Sequence, residues 1–240
     1  TNLPEVNVFT DEDILEAGEF PTFHQLGNIT KESSKRVEMY KSNKERSKAE
    51  ATYGSDNFES FLMSCQMRLE SRESHIDEID RIYEIIQRTN QMNATLKRMS
   101  LQEVNNYFES QNKSAHIVKL GDKFGDYGII GTALSIISQD KLIIDELALS
   151  CRAMGRRVED ALLEELIGYA KDENLKIIEI NVTKTSRNQQ ILETLKRVGF
   201  VEGKDSKTDN LQMTLKLDNR NGRQFAAWFK LDSNIESQID

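Results

Sequence analysis

The stretch "LSCRAMGRRVEDALLEELIGYA", residues 149–170, sets the reading of the whole chain. The apolar run "KLIIDELALS" ends at Ser150, and a loop with Arg152, Arg156, Arg157 and the single glycine Gly155 follows. From Val158 onward, Val158, Ala161, Leu162, Leu166 and Ala170 fall on one stripe at helical spacing. A strand, a basic glycine loop and a helix start make a place for an anion, because the first N–H groups of a helix lack partners and its dipole favours negative charge there.

The same alternation of sheet and helix patterns extends in both directions. Upstream, "QMRLESR" alternates as a strand, and "IDEIDRIYEIIQ" repeats apolar residues at Ile76, Ile79, Ile82 or Tyr83, and Ile86 as a helix. Ser100 with Glu103 three residues later forms a capping box for a second helix. "AHIVKLG", "GIIGTALSII" and "KLIIDELALS" read as strands, the last two joined by Gln139 and Asp140 as a hairpin. Downstream, "KIIEINV" is a strand, "RNQQILETLKRV" a helix ended by Gly199, and "LQMTLKL" a strand. The order β, α, α, β, β, β, α, β, α, β packs as a mixed, mainly antiparallel sheet with helices on both faces.

Residues 1–64 read as a helical segment without a strong core. Thr30 is a good N-cap for a helix in which Val37, Met39 and Tyr40 are nearly the only large apolar residues. A helix this polar is solvated or packed against something else. Gly54 breaks it, and Ser55 or Asp56 can cap a short helix "NFESFLMSC". After residue 217 come the turn "NRNGR" and "FAAWFKL", an apolar patch that needs a partner surface in this chain or another.

With 240 residues and a formal net charge of −8, the chain is not a general nucleic-acid binder, since duplex binding relies on an excess of Lys and Arg. No apolar run approaches the roughly 18 residues of a membrane span, and no signal pattern opens the chain, so a cytoplasmic location is expected. Cys65 and Cys151 cannot make a disulfide framework, and His24, His75 and His116 are scattered, so no structural metal is expected.

The order from 65 to 217 is similar to the GNAT acyltransferase fold, including "LALS" before the loop, "ALLEELIGYA" after it and "NQQILETLKRVGF" at the place of that fold's "NxxAxxxYxxxGF" segment. More specifically, "IIQRTNQMNATLKRMS", "GDKFGDYGIIG" and "LSCRAMGRRVEDALL" resemble signature stretches of the FkbH-like family. That family joins a haloacid-dehalogenase-type domain to a C-terminal GNAT-like domain. The resemblance implies loading of a phosphorylated three-carbon acid onto the phosphopantetheine of an acyl carrier protein, in polyketide or surface-polysaccharide pathways. It also implies that residues 1–64 are the tail of the dehalogenase-type domain and a connector. The resemblance places the catalytic Asp-x-Asp motif of that domain, and with it the phosphate chemistry, in an N-terminal part outside these residues.

A GNAT loop follows Gln/Arg-x-x-Gly-x-Gly/Ala, whose small residues let a pyrophosphate approach the backbone. One register of the loop puts Arg152 first, Gly155 fourth and Arg157 sixth. The other puts Met154 first, Arg157 fourth and Glu159 sixth, and it alone keeps the helix stripe in phase. In it neither small position is small, and a carboxylate near a pyrophosphate repels it by several kcal/mol, from roughly 4 kcal/mol per charge pair at about 4 Å and an effective dielectric near 20. Coenzyme A is then a poor ligand, and the single phosphodiester of a carrier-bound phosphopantetheine fits better. Arg152, Arg156 and Arg157 are the cations for that phosphate or for acidic residues of the carrier, with Leu149, Gly155 and Val158 forming the backbone cradle; a solvated basic helix start is the blander reading.

The tyrosine acid of the GNAT pattern is replaced by Leu195, which puts ordinary acetyl transfer in doubt. Asn188 starts the same pattern and either bonds the pantetheine or caps the helix. Asp145 and Glu146 are candidate bases on alternate faces of their strand, so only one can point toward a cleft. Cys151, at the strand end beside arginines and a helix start, is a candidate nucleophile, or else a small residue filling a tight strand end. Asn90, Gln91, Asn93 and Thr95 line an acyl pocket by resemblance, or tie a loop to the sheet. In "GDKFGDYGIIG", Asp122 and Asp126 are turn formers or ligands, with Gly121, Gly125 and Gly128 allowing a tight connection. Three functions follow: an acyltransferase-type part that grips a loaded carrier protein, a silent docking module of the same fold, or an N-acetyltransferase using acetyl-coenzyme A.

Overall fold

The computed structural model describes residues 36–53, 57–151, 154–186, 188–203, 209–218 and 224–231. The cap expected at Thr30, those at Ser55 and Asp56, the break at Gly54, the turn "NRNGR" and Arg152 lie outside the described residues. The elements are α1 (Arg36–Tyr53), α2 (Phe58–Ser64), β1 (Met67–Glu73), α3 (Ile79–Arg88), α4 (Leu101–Glu109), β2 (Lys113–Asp122), β3 (Gly125–Ser138), β4 (Lys141–Leu149), α5 (Val158–Asp172), β5 (Ile177–Thr183), α6 (Gln189–Val198), β6 (Val201–Glu202), β7 (Asn210–Lys216) and β8 (Phe229–Leu231). One turn of 3-10 helix, Ile76–Glu78, precedes α3.

The strands form a mixed sheet in the order β6-β7-β5-β4-β3-β2-β1-β8. Only β4–β5 and β1–β8 are parallel; the other pairs are antiparallel. Helices α3 and α4 bury Ile82, Ile86, Val104 and Tyr107 against Ile117, Leu134 and Ala148 of one face. Helix α5 buries the expected stripe Val158, Ala161, Leu162, Leu166 and Ala170 in the core with Leu120, Ile144 and Ile178, joined by Ile191 and Leu195 of α6. The Ser100–Glu103 capping box is present at α4. Gly199 ends α6 at φ 107°, a conformation that costs glycine little.

Two elements were not readable from the patterns. β6 is only two residues long. β8, from "FAAWFKL", adds a parallel edge strand through Met67↔Phe229 and Leu69↔Leu231, so the apolar patch docks on its own chain. The same segment donates Trp228 Nε1 to the Arg156 carbonyl at 3.0 Å.

Among its described side chains, Arg46 gives the polar helix α1 a fully buried contact. Arg46, 2% exposed, donates from Nε and Nη2 to Asp122 at 2.7 and 3.0 Å. Its guanidinium lies 4.5 Å from the ring centroid of Tyr127 and 5.5 Å from that of Phe124. Asp122 also accepts from the N–H groups of Phe124 and Gly125, which makes it a turn former as well as an ion partner. Gly125 permits the approach, because a Cβ there would meet Ser42 Oγ of α1 at 2.7 Å.

Candidate functional site

The site begins where two parallel strands separate. β4 and β5 pair from Lys141↔Ile177 to Ile144↔Ile180 and no further, although β4 runs on to Leu149 and β5 to Thr183. The cause lies one residue beyond the last pair. Ile144 and Glu146 pair with the consecutive residues Ser135 and Leu134 of β3, which leaves Asp145 as the extra residue of a bulge. A bulge bends its strand and sharpens the twist, which peels the end of β4 from β5.

The opening exposes strand edges that must find partners. They find them in the loop after α3. Ala94 N donates to Leu147 O at 3.0 Å, Leu149 N to Met92 O at 2.8 Å and Thr183 N to Ala94 O at 2.9 Å. Asn93 bridges Ala148 in antiparallel register. Asn188 Nδ2 donates to Asn93 O at 3.2 Å and to Thr183 O at 2.7 Å, while its Oδ1 accepts from Thr185 N at 2.9 Å. Met92, Asn93 and Ala94 are all buried. Three residues of the chain thus occupy the gap and pair with the strand edges on both sides.

That insert is pinned at both ends. Gln87 Nε2 donates to Met99 O at 2.6 Å, and Arg98 Nη1 to Ile86 O at 2.5 Å and Thr89 O at 3.1 Å. Thr95 donates its hydroxyl proton to Glu146, whose other oxygen accepts from Leu147 N at 3.0 Å. Glu146 is fully buried, and burial pushes its carboxyl up to about 7. Asp145 faces a cleft of about 460 Å³ lined also by Lys97, Arg98, Glu103, Tyr107 and Lys113. Despite its burial cost, hydrogen bonds from Lys97 and Tyr107 hold its carboxyl below the ordinary range. Of the two acids, only Asp145 lines that cleft.

The basic loop is also filled from within. α5 starts at Val158 with Arg157 as its N-cap at φ 62°, and Glu159 lies in its first turn. Glu159 is 3% exposed, and burial raises its carboxyl pKa. It pairs with Arg197 Nη2 of α6 at 3.3 Å. Arg157 Nε pairs with Asp160 at 3.0 Å, and Arg197 Nε donates to the same carboxylate at 3.1 Å. Arg157, Glu159 and Arg197 line a second cleft, about 460 Å³, with Gly155, Gln189 and Glu193. Arg156 turns away from it, its guanidinium 5.3 Å from the Tyr127 ring centroid.

No known family profile matches the chain, and no curated protein is similar to it. Solved structures are. A Desulfovibrio desulfuricans protein of the GNAT family is 11% identical with a TM-score of 0.51, the match covering 62% of this chain and 99% of that one. The GNAT domain of S. lividans PAT is 14% identical with a TM-score of 0.50, covering 61% of this chain and 89% of the other. The chain has the GNAT fold. Identities this low carry the fold and leave the chemistry to the residues present.

Within this GNAT fold the sequence-derived candidates divide into groups. Asn93, Thr95, Glu146, Leu149 and Asn188 meet at the strand gap, where Asn188 donates to Asn93, Thr95 to Glu146, and Leu149 N to Met92 O. Asn188 makes no side-chain cap on α6. Asn90 accepts from Arg98, and Gln91 is exposed. Cys151 is a free, exposed thiol at the end of β4, so it does not fill a tight strand end. Leu195, at the place of the GNAT tyrosine, is fully buried core. Arg197, Lys97, Tyr107 and Lys113 were missed. Tyr107, three residues after Val104 on the buried side of α4, was the one with a readable signal.

Asn188→Ala removes both amide bonds that join β5 to the insert and leaves the Thr185 N–H without its acceptor. A loss of about 2–3 kcal/mol is expected, from about 1–3 kcal/mol for each buried group left unpaired and partial relief by water. Chemical denaturation of the two proteins measures it.

Proposed function

We propose that this chain is the GNAT-fold part of an FkbH-like protein and serves as a docking module for an acyl carrier protein during loading of a phosphorylated three-carbon unit. It holds the carrier while the dehalogenase-type domain of the same cytoplasmic polypeptide does the chemistry, and it forms no bond itself. The observation that carries this reading is the closure of the β4–β5 gap by Met92–Ala94. The Glu159–Arg197 pair beside the basic loop supports it too, since a carboxylate at that helix start disfavours a pyrophosphate. The resemblance of residues 85–163 to FkbH-like stretches supplies the partner.

Two measurements test it. Calorimetric titration with acetyl-coenzyme A is expected to give no binding in the micromolar range. Apo- and phosphopantetheinylated carrier proteins are expected to bind equally, since the arm is not seated; a tenfold preference for the pantetheinylated form would return the reading to a gripping acyltransferase. The exposure of Cys151 favours one second reading, an acyl group passed through its thiol. Incubation with a loaded carrier followed by intact mass measurement decides it, and an adduct absent from Cys151→Ser establishes that route.

A further inference from the structure

The cleft over Asp145 is lined from α4 and the segment before it, and of its cations only Arg98 also pins the insert at the strand gap. We propose that it is a binding site for a small phosphate-bearing molecule, held by Lys97, Arg98 and Lys113 above the Tyr107–Asp145 pair.

The charges argue for an anion. Among the lining residues, Lys97, Arg98 and Lys113 are cationic, and Asp145 and Glu103 anionic. Both anions are already engaged: Asp145 takes Lys97 on one oxygen and the Tyr107 hydroxyl on the other. Glu103 accepts from Ser100 N at 2.7 Å and Ser100 Oγ at 2.8 Å as part of the α4 cap. Arg98 is bound to the carbonyls of Ile86 and Thr89 and to the Asn90 side chain, which are all neutral. Lys113 Nζ lies 4.9 Å from the Tyr107 ring centroid and has no carboxylate within ion-pair distance among the described residues. Lys113 helps to hold the Asp145 carboxyl low through space, so three cations face two anions at this wall, in a chain whose net charge is −8.

The floor is built and the rim is adaptable. Tyr107 is 5% exposed and fixed by Asp145, so the ring under Lys113 is a rigid surface, while lysines supply point charges on flexible stems. A volume of about 460 Å³ suits a phosphate with a few carbon atoms. Because attraction scales with the ligand's charge, a phosphate dianion should bind more tightly than a carboxylate. This site does not depend on the carrier-docking reading.

The test is titration of the isotopically labelled chain with glycerol 3-phosphate, inorganic phosphate and acetate at constant ionic strength, following backbone amide signals. Saturable shifts confined to residues 97–113 and 145 are expected, with glycerol 3-phosphate and phosphate at least 10-fold tighter than acetate. Lys113→Gln should weaken phosphate binding about 10-fold without changing the melting temperature. Lys141→Gln, whose lysine pairs with Glu179, should leave binding unchanged. A phosphoserine peptide as tight as glycerol 3-phosphate would assign the site to a modified protein, against the proposal. Unsaturable shifts, unchanged affinity in Lys113→Gln, or shifts centred on residues 155–159 would equally overturn it.

Discussion

Glu146→Gln is expected to stabilise the protein by about 3 kcal/mol at pH 8 and to change its stability little at pH 4.5. Glu146 is fully buried beneath Thr95, and its carboxyl is raised from 4.5 to about 7. A group with a raised folded pKa contributes stability that is complete below the unfolded value and is lost as pH climbs through the folded one. Here the unfolded chain releases the proton near pH 4.5 and the folded chain holds it until about 7. Stability therefore falls between those values, by about 3 kcal/mol at 1.36 kcal/mol for each pH unit of difference. Glutamine keeps the acceptor for Leu147 N and a donor toward Thr95 without a charge to bury. The melting temperature at pH 8 should rise by roughly 6–12 °C, from roughly 2–4 °C per kcal/mol for a chain of this size. Equal gains at pH 4.5 and pH 8 would show that ionisation of Glu146 is not the cause.

The site was less legible than the sheet because its contacts have no local period. The stripe from Val158 to Ala170 and the run from Lys141 to Ser150 repeat at spacings that name helix and strand directly. "MNA" at 92–94 has no such pattern. Its conformation is fixed by Leu147, Leu149, Thr183 and Asn188, which lie more than fifty residues away, and by a gap that exists only once Asp145 bulges out of β4. The strict alternation expected of Asp145 and Glu146 does not allow for that bulge. Arg197 was equally hidden, since it meets Glu159 only when α6 is laid beside α5. The start of α5, with Arg157 before it and Glu159 in its first turn, was legible from the phase of the helix stripe.

Asp122→Ala is expected to cost about 3–5 kcal/mol, the effect of removing one partner from a buried ion pair. Arg46 would keep a buried charge with only Asn43 and two aromatic faces to compensate it. The N–H groups of Phe124 and Gly125 would lose their acceptor in the β2–β3 turn at the same time. The other described side chains of α1, residues 42–53, are exposed or half-buried, so this part of the helix should detach before the sheet melts. The melting temperature should drop by roughly 6–20 °C, and protease cleavage within residues 36–53 should become rapid well below the transition. Asp126→Ala is the control, because Asp126 is exposed and, among the described residues, accepts from Gly128 N, and it should cost less than about 1 kcal/mol. Combining Arg46→Leu with Asp122→Asn removes the charge and keeps a turn acceptor, so the double variant should be more stable than Asp122→Ala alone. If Asp122→Ala behaves like Asp126→Ala, α1 is held by contacts other than the Arg46–Asp122 pair.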